Sequence, residues 1–439
     1  MTAPAPGIII AAPASNQGKT LVTMSLIRAL TMCGLRVAAA KVGPDYIDPC
    51  FHAAAGASPC HNLDPWAMRP ATIAGLIGRL GENTDLIVCE GVMGLFDGVG
   101  DAAGSTADLA ILTGWPIVLA MDVRGQGASA AAVLRGFATH RPDVAVTGVI
   151  LNRVGSEDHA ELLAAAIGRA LPGLTVFGSL PRCDALALPD RHLGLVQASE
   201  HPDLDGFLDK AADLITARVD LERLRGAACA GPASTGVAVP LPPPGQRIAV
   251  ARDDAFAFSY ASVLEGWRAQ GAEVSFFSPL NDDPPDGMVD AVHLPGGYPE
   301  LHAGALSANT RFRDGLCEAA ARGAAIIGEC GGYMAMGHGL VDERGTRHEM
   351  AGLLPLETSF ADRRLHLGYR RVVLRCDSPL GVRGTAFAGH EFHYASVLSQ
   401  GAGEPLFTAT DARGSELGAV GLIKGRVAGS FVHLIDLAE

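Results

Sequence analysis

The sequence contains no run of about 18 uninterrupted apolar residues, the length a membrane-spanning helix needs, so no such helix is expected. It also lacks any Cys-x-x-Cys pair, and its nine cysteines are an odd number in a chain of 439 residues. That argues against a disulfide framework and points to a reducing cytosol, with most of the cysteines serving as small buried hydrophobes. Charge is sparse, at 18% of residues against 48% hydrophobic, which excludes a disordered chain. The 54 glycines and 27 prolines follow no three-residue period, which excludes collagen. Basic residues are in deficit, 34 against 47 acidic, and the net charge is −13. A field of that sign repels nucleic acid and anionic membranes, so neither is expected as a general partner, although local basic patches stay open. The N-terminal stretch MTAPAPGIIIAAPASNQGKT has no basic leader, and its apolar run ends in Asn-Gln-Gly-Lys. It reads as a buried strand and a loop rather than a signal peptide.

At roughly 150 residues per domain, the length allows two or three domains. In the first half, short apolar runs at 7–12, 35–41, 85–90, 116–122, 146–152 and 174–180 alternate with stretches of helical spacing such as 21–33 and 128–139. The runs are continuous rather than alternating, as in strands buried on both faces of a parallel sheet, and the alternation predicts a doubly wound α/β layer structure. Residues 227–246 are uncharged and crowd Pro240, Pro242, Pro243 and Pro244 together, the composition of a linker. Fresh strands are predicted at 247–251, 273–277, 291–294, 324–328, 371–374 and 426–434. The expected organisation is therefore two α/β domains, 1–226 and 247–439, joined by 227–246, with no internal repeat.

The first strand runs into Pro13-Ala-Ser15-Asn16-Gln17-Gly18-Lys19-Thr20 and then a helix. This is the spacing of a Walker A phosphate loop, with proline where the first glycine belongs. Backbone amides and a helix N-terminus would hold phosphate, with Lys19 as a point charge and the Thr20 hydroxyl on Mg²⁺. Two more acidic clusters close predicted strands: Gly43-Pro-Asp45-Tyr-Ile-Asp48-Pro, and Cys89-Glu90-Gly91 followed by Asp97. In open α/β sheets the carboxyl ends of strands line the ligand crevice, and carboxylates placed there beside a phosphate loop suit Mg²⁺, a hard ion. Any one of these acids could be a turn or cap residue; three at successive strand ends favour a site. Asp122 and Asn152, closing two further strands, are weaker candidates.

The stretches APASNQGKT, KVGPDYIDP and CEGVMGLFDG resemble the ATP-binding half of the cobyrinic acid a,c-diamide synthases, which is itself similar to dethiobiotin synthetase. The resemblance implies an ATP site at Ser15–Thr20, in which Lys19 and the Gly18 amide hold phosphates. It also implies Thr20, Asp45 and Glu90 as the magnesium set, with Asp48 and Asp97 near the carboxylate to be activated.

In the second half, Gly328-Glu-Cys330-Gly-Gly-Tyr-Met sets a cysteine between small residues, after a predicted strand and before a helix. A nucleophile elbow has this form, and a helix N-terminus favours thiolate. Upstream, Pro295-Gly296-Gly297-Tyr-Pro-Glu offers amides that could form an oxyanion hole with that of Gly331. Gly429-Ser-Phe-Val-His433 supplies a base. His390-Glu-Phe-His393 lacks metal-site spacing and reads as structural or substrate-facing. The arginines of the stretch 363–375 read first as a solvated face and second as partners for substrate carboxylates.

The order of these motifs resembles class I glutamine amidotransferases of the cobyrinate/cobyrate type, with Cys330 and His433 as catalytic pair and Gly297 and Gly331 as oxyanion donors. Ordinary members carry glutamate two residues after the histidine; here that residue is Ile435, and Asp436 is a poorly placed substitute. The two resemblances together imply a cytoplasmic, ATP- and glutamine-dependent ligase that amidates the a and c carboxylates of cobyrinic or hydrogenobyrinic acid in cobalamin biosynthesis. Its partners would be that macrocycle, L-glutamine, ATP and Mg²⁺. Cobyric acid synthase and Ni-sirohydrochlorin a,c-diamide synthase remain as alternatives within the class. Outside it stand a partitioning-type nucleotide-switch ATPase and a dethiobiotin-synthetase-like carboxylase. Oligomeric state is left open, a homodimer included.

Overall fold

The computed structural model describes residues 5–438 except 101–102, 189, 192–193, 233–235 and 237–238. The chain forms two compact units, one of Met1–Trp66 and Ile73–Gly236, the other of Ala67–Thr72 and Val237–Glu439. No helix among the described residues is long and apolar enough to cross a membrane.

In the first unit, seven strands form a parallel sheet: β1 (Pro6–Ala11), β2 (Val37–Val42), β3 (Cys60–Leu63), β4 (Leu86–Glu90), β5 (Ile117–Asp122), β6 (Val146–Val154) and β7 (Thr175–Pro181). Their order is β3-β2-β4-β1-β5-β6-β7. β1 reads PGIIIA and β2 reads VAAAKV, and every residue but Pro6 is buried. That is what near-continuous apolar strands covered on both faces by helices require. Helix α1 (Lys19–Met32) follows β1 and α2 (Asp48–Gly56) follows β2. The carboxyl ends of β1, β2, β4, β5 and β6 thereby open into one crevice. Cys229–Ala230 pairs antiparallel with the start of β1, so the head of 227–246 is sheet where the composition reads as linker. Residues 233–235 and 237–238 of that stretch lie outside the described residues.

The second unit has a parallel sheet of β8 (Arg247–Ala251), β9 (Glu273–Phe277), β10 (Ala291–Leu294) and β11 (Ala325–Glu329). It also holds strands that the sequence reading only partly anticipates: β12 (His366–Leu374), β13 (Ala386–His393), β14 (Phe407–Asp411), β15 (Glu416–Val420), β16 (Leu422–Lys424), β17 (Val427–Ser430) and β18 (Val432–Leu437), of which β17 runs parallel to β11 and the rest pair antiparallel. The first sheet runs β9-β8-β10-β11-β17-β16, and a second runs β15-β14-β12-β13-β18. The single strand expected over 426–434 is thus two. β17 pairs with β11, the chain turns at Phe431, and β18 pairs with β13. Phe431 anchors this corner by stacking on His393 at 4.0 Å and meeting Tyr333 edge-on at 5.3 Å. The corner places His433 on a strand beside the end of β11, where Cys330 begins its turn.

Candidate functional site

The loop after β1 lets α1 begin directly at Lys19, with Gly18 as its N-cap at φ 90°. A Cβ on Gly18 would lie 2.3 Å from Asn152 Nδ2, so backbone conformation and space both demand glycine. The loop is fastened by the ends of β5 and β6. The Asp122 amide donates to Gln17 Oε1 at 2.9 Å, and Asn152 Nδ2 donates to the Gln17 carbonyl at 2.9 Å. Arg153 donates to the Asn16 carbonyl at 2.8 Å and pairs with Asp122 at 2.6 Å. α1 carries no acid in its first turn, so its positive end faces the loop uncancelled. Lys19 Nζ donates to the Met93 carbonyl at 2.6 Å. Burial pulls its ammonium down to about 8 against the opposing charge of Glu90.

Ser15, Asn16, Gly18, Lys19, Thr20, Lys41, Asp45, Asp48, Glu90 and Asn152 line an open cavity of about 700 Å³. Thr20 Oγ1 donates to Glu90 Oε1 at 2.9 Å and lies 3.3 Å from Asp48 Oδ2. Lys41 Nζ bridges Asp48 (3.2 Å) and Glu90 (3.5 Å), and His52 Nε2 sits 2.5 Å from Glu90 Oε2. Burial alone would raise Glu90, but Lys41, the His52 hydrogen bond and Lys19 outweigh it and hold it near 2. Lys41 is buried, yet Glu90 and Asp48 raise it above its ordinary value. Asp48 is driven well upward by burial and by Asp45 and Glu90. Asp45 accepts from the Ile47 and Asp48 amides at 2.8 and 3.0 Å, shaping the turn into α2. Asp97 accepts from the Gly94 amide at 2.8 Å in the turn after β4, and its charge acts on Lys19.

Sequence reasoning missed Lys41 and His52. The signal for Lys41 was present, because a lysine inside the apolar run VAAAKV must be paired to be buried. His52 lies one turn into α2 and has no local signature.

In the second unit, Cys330 has φ 47° and ψ −101°, the strained backbone of an elbow between β11 and the short helix Gly331–Ala335. Its amide donates to the Ser430 carbonyl at 2.8 Å. A Cβ on Gly331 would lie 3.0 Å from the Gly297 amide nitrogen, which shows how closely the two expected oxyanion donors approach. A Cβ on Gly296 would lie 2.2 Å from Cε1 of His433, so the imidazole rests on that glycine. The thiol lies 3.9 Å from the Phe392 carbonyl, which brings the 390–393 stretch to the nucleophile.

The electrostatics differ from a preformed thiolate. Burial, with Glu300 adding, pushes the Cys330 thiol upward despite the Gly331 amide; a five-residue helix does not overcome it. Burial, reinforced by His390, His393 and His293, pushes His433 down to about 3. The resting pair is a neutral thiol and a neutral imidazole. Asp436 is not the missing acid, because its carboxylate accepts from the Arg69 side chain at 2.7 and 3.1 Å and from the Arg69 amide at 2.8 Å within the same unit. Ligand atoms of His366, Glu391 and His393 lie within 4.8 Å of one another. Glu391 is already balanced by Arg370 at 2.6 Å and by His393 at 3.0 Å. Of the other arginines in that stretch, Arg363 pairs with Glu343.

A phosphate loop ringed by carboxylates in one unit and a cysteine elbow in the other are the parts that a glutamine-hydrolysing, ATP-using carbon–nitrogen ligase combines. Residues 8–196 match the CobQ/CobB/MinD/ParA nucleotide binding domain, and residues 247–439 match the CobB/CobQ-like glutamine amidotransferase domain. A protein of Sinorhizobium sp is 52% identical over 438 residues, 98% of this chain and 99% of its own. One from Rhizobium meliloti (strain 1021) is 54% identical over 435 residues, 99% of this chain and 100% of its own. One from Brucella suis biovar 1 (strain 1330) is 52% identical over 439 residues, 98% and 99% of the two chains. All three are named hydrogenobyrinate a,c-diamide synthase. The chain belongs to the hydrogenobyrinate a,c-diamide synthase family, and the resemblance carried by APASNQGKT, KVGPDYIDP, CEGVMGLFDG and GECGGYM is borne out.

Proposed function

We propose that this chain converts the a and c carboxylates of hydrogenobyrinic acid to amides in cobalamin biosynthesis, in the cytoplasm. Residues 1–226 carry the ATP site, 247–439 carry the glutaminase and 227–246 link them. The macrocycle follows from the name shared by the three relatives; cobyrinic acid is the second candidate. Nine free cysteines fit a reducing compartment.

A carboxylate does not react with ammonia, because oxide is a poor leaving group. Lys19 and the amides at the start of α1 hold the ATP phosphates so that a substrate carboxylate attacks the terminal phosphorus, giving an acyl phosphate and ADP. Catalysis of that transfer is positioning and charge neutralisation. Thr20, Glu90, Asp45 and Asp48 offer the hard oxygen donors that Mg²⁺ requires, and the raised Asp48 carboxyl marks a cluster short of positive charge. Bound there, Mg²⁺ would neutralise phosphate charge. Lys41, buried between Glu90 and Asp48, keeps Glu90 ionised and holds both side chains in place. Asp97, with Asp48, borders the place of the carboxylate to be activated.

In the glutaminase, the Cys330 proton passes to His433 as sulfur attacks the glutamine amide carbon. The Gly297 and Gly331 amides receive the oxyanion. His433 returns the proton to the leaving nitrogen, ammonia departs, and water cleaves the glutamyl thioester to glutamate. Ammonia then displaces phosphate from the acyl phosphate.

The observation that carries this reading is the coexistence, in one chain, of the carboxylate-ringed phosphate loop and a strained Cys330 elbow after β11, with the His433 imidazole on Gly296, next to Gly297 whose amide nitrogen lies close to Gly331. The test is incubation with ATP, Mg²⁺, glutamine and hydrogenobyrinic or cobyrinic acid, with product mass as readout. Two successive exchanges of hydroxyl for amino are expected on the accepted macrocycle. Cys330→Ser should abolish the glutamine-driven reaction and spare the ammonia-driven one. Hydrolysis of ATP with no cleavage of glutamine in the presence of any macrocycle would return the chain to the nucleotide-switch class.

A further inference from the structure

His433 needs an acid to fix its tautomer, and its own strand supplies none. Residues two apart on a strand share a face, so the position expected to carry glutamate presents Ile435, and Asp436 is taken by Arg69. An acid close to the imidazole comes from a different strand. Glu329, the last residue of β11 and the neighbour of the nucleophile, has Oε2 3.9 Å from His433 Nδ1. Its Oε1 accepts from the Leu434 amide at 3.2 Å, so the carboxyl is tethered to β18 one residue beyond the histidine.

We propose that Glu329 is the positioning residue of the glutaminase, holding His433 as the Nδ1–H tautomer so that Nε2 takes the Cys330 proton, and balancing the imidazolium that results. This rests on the assignment of Cys330 and His433 made above. Glu329 gains and loses no proton in the cycle: the proton moves from sulfur to Nε2, and from Nε2 to the departing nitrogen. Without it, an imidazolium would form facing His390, His393 and His293, with Glu391 as the remaining counter-charge acting on it. Triad acids act in this way, by orientation and charge.

The ionised carboxylate accepts from Nδ1–H with no proton of its own to offer, whereas the protonated acid can donate to Nδ1 and select the opposite tautomer. Burial moves that ionisation up to about 8, against the Leu434 amide. Around it, His433 sits near 3, His293 and His390 near 4 and Glu391 near 2, while the Cys330 thiol is pushed upward. Glu300 and His393 complete the groups facing the pair.

The experiment measures glutaminase kcat and KM against pH for the full chain and for Glu329→Gln, Glu329→Asp, Cys330→Ala and His433→Ala, with thermal melting as a check on folding. Wild-type kcat/KM is expected to climb with a midpoint near the Glu329 ionisation. Glu329→Gln should lower kcat about 10²-fold or more, with KM for glutamine held within about twofold, and should erase that climb. Glu329→Asp should restore part of the rate and the climb. A Gln variant with wild-type kcat and profile overturns the proposal, and so does a loss confined to KM. Should the Gln variant fail to fold, a wild-type profile without the climb overturns it equally. Glutaminase surviving in Cys330→Ala or His433→Ala would instead bring down the underlying assignment.

Discussion

The two reactive centres of this chain solve opposite electrostatic problems. Around the phosphate loop, Lys19, Lys41, Asp45, Asp48 and Glu90 line an open cavity of about 700 Å³ as a network of titratable groups, with His52 hydrogen-bonded to Glu90. Around Cys330 the key groups are buried and neutral at rest, with a thiol pushed up and an imidazole pushed down to about 3. The first centre must receive a polyanion, so it stores charge. On the proposed roles of Cys330 and His433, the second generates charge only when glutamine is in place, and it stores geometry: a strained elbow at φ 47° and glycines packed to contact distance. Local amino-acid type therefore predicts the first centre better than the second.

The comparison breaks most sharply at Lys19. Lys19→Ala should lower amidation about 10³-fold whether glutamine or ammonia supplies nitrogen, while glutamine hydrolysis persists, because phosphate charge is met only in the first unit. Parallel rates with the two nitrogen sources would check it. Gly296→Ala strikes the other centre through geometry alone. Its new Cβ would lie 2.2 Å from His433 Cε1, and displacing that ring should cost about 10²-fold in glutamine-driven rate and little in the ammonia-driven one.

Stability against pH sharpens the contrast. Glu90 is held near 2, below its ordinary 4.5, so its contribution is present above 4.5 and is lost as pH falls toward 2. Glu329 is raised from 4.5 to about 8, so the folded chain keeps a proton the unfolded chain has released, and stability declines as pH rises across that interval. Calorimetry against pH should show Glu329→Gln flattening the decline between pH 4.5 and about 8, and Glu90→Gln flattening the one below 4.5. The smallest effect is expected from replacing Arg363 and Arg364 with alanine. If these meet substrate carboxylates, KM for the macrocycle should rise severalfold with glutaminase turnover unchanged; an unchanged KM leaves Arg363 to its surface pair with Glu343.

The parallel sheets were legible because strands buried on both faces leave unbroken apolar runs, and six such runs in the first half match β1, β2, β4, β5, β6 and β7 to within a few residues. β3 was not, since Cys60-His-Asn-Leu is too short and polar to stand out. The antiparallel strands of the second unit were mostly invisible for a related reason: β12 buries one face only, and alternation over Arg370-Arg371-Val372-Val373-Leu374 is faint. The corner at Phe431 could not be read at all, because it depends on stacking against His393 and Tyr333, which are distant in sequence. Glu329 was passed over as a neighbour of Cys330, and Asp436 was weighed instead because it is near His433 in sequence. Proximity along a strand misleads where the partner comes from the adjoining strand.

Asp48 carries a consequence beyond catalysis. Burial, with Asp45 and Glu90 adding, holds its carboxyl well above the usual carboxylate range, and a divalent cation arriving among these oxygens would favour the ionised form and release protons to solvent. Loading the ligase centre should therefore acidify a weakly buffered solution, and the cation should dissociate more readily as the medium turns sour. An indicator dye would register the event with neither macrocycle nor nucleotide present.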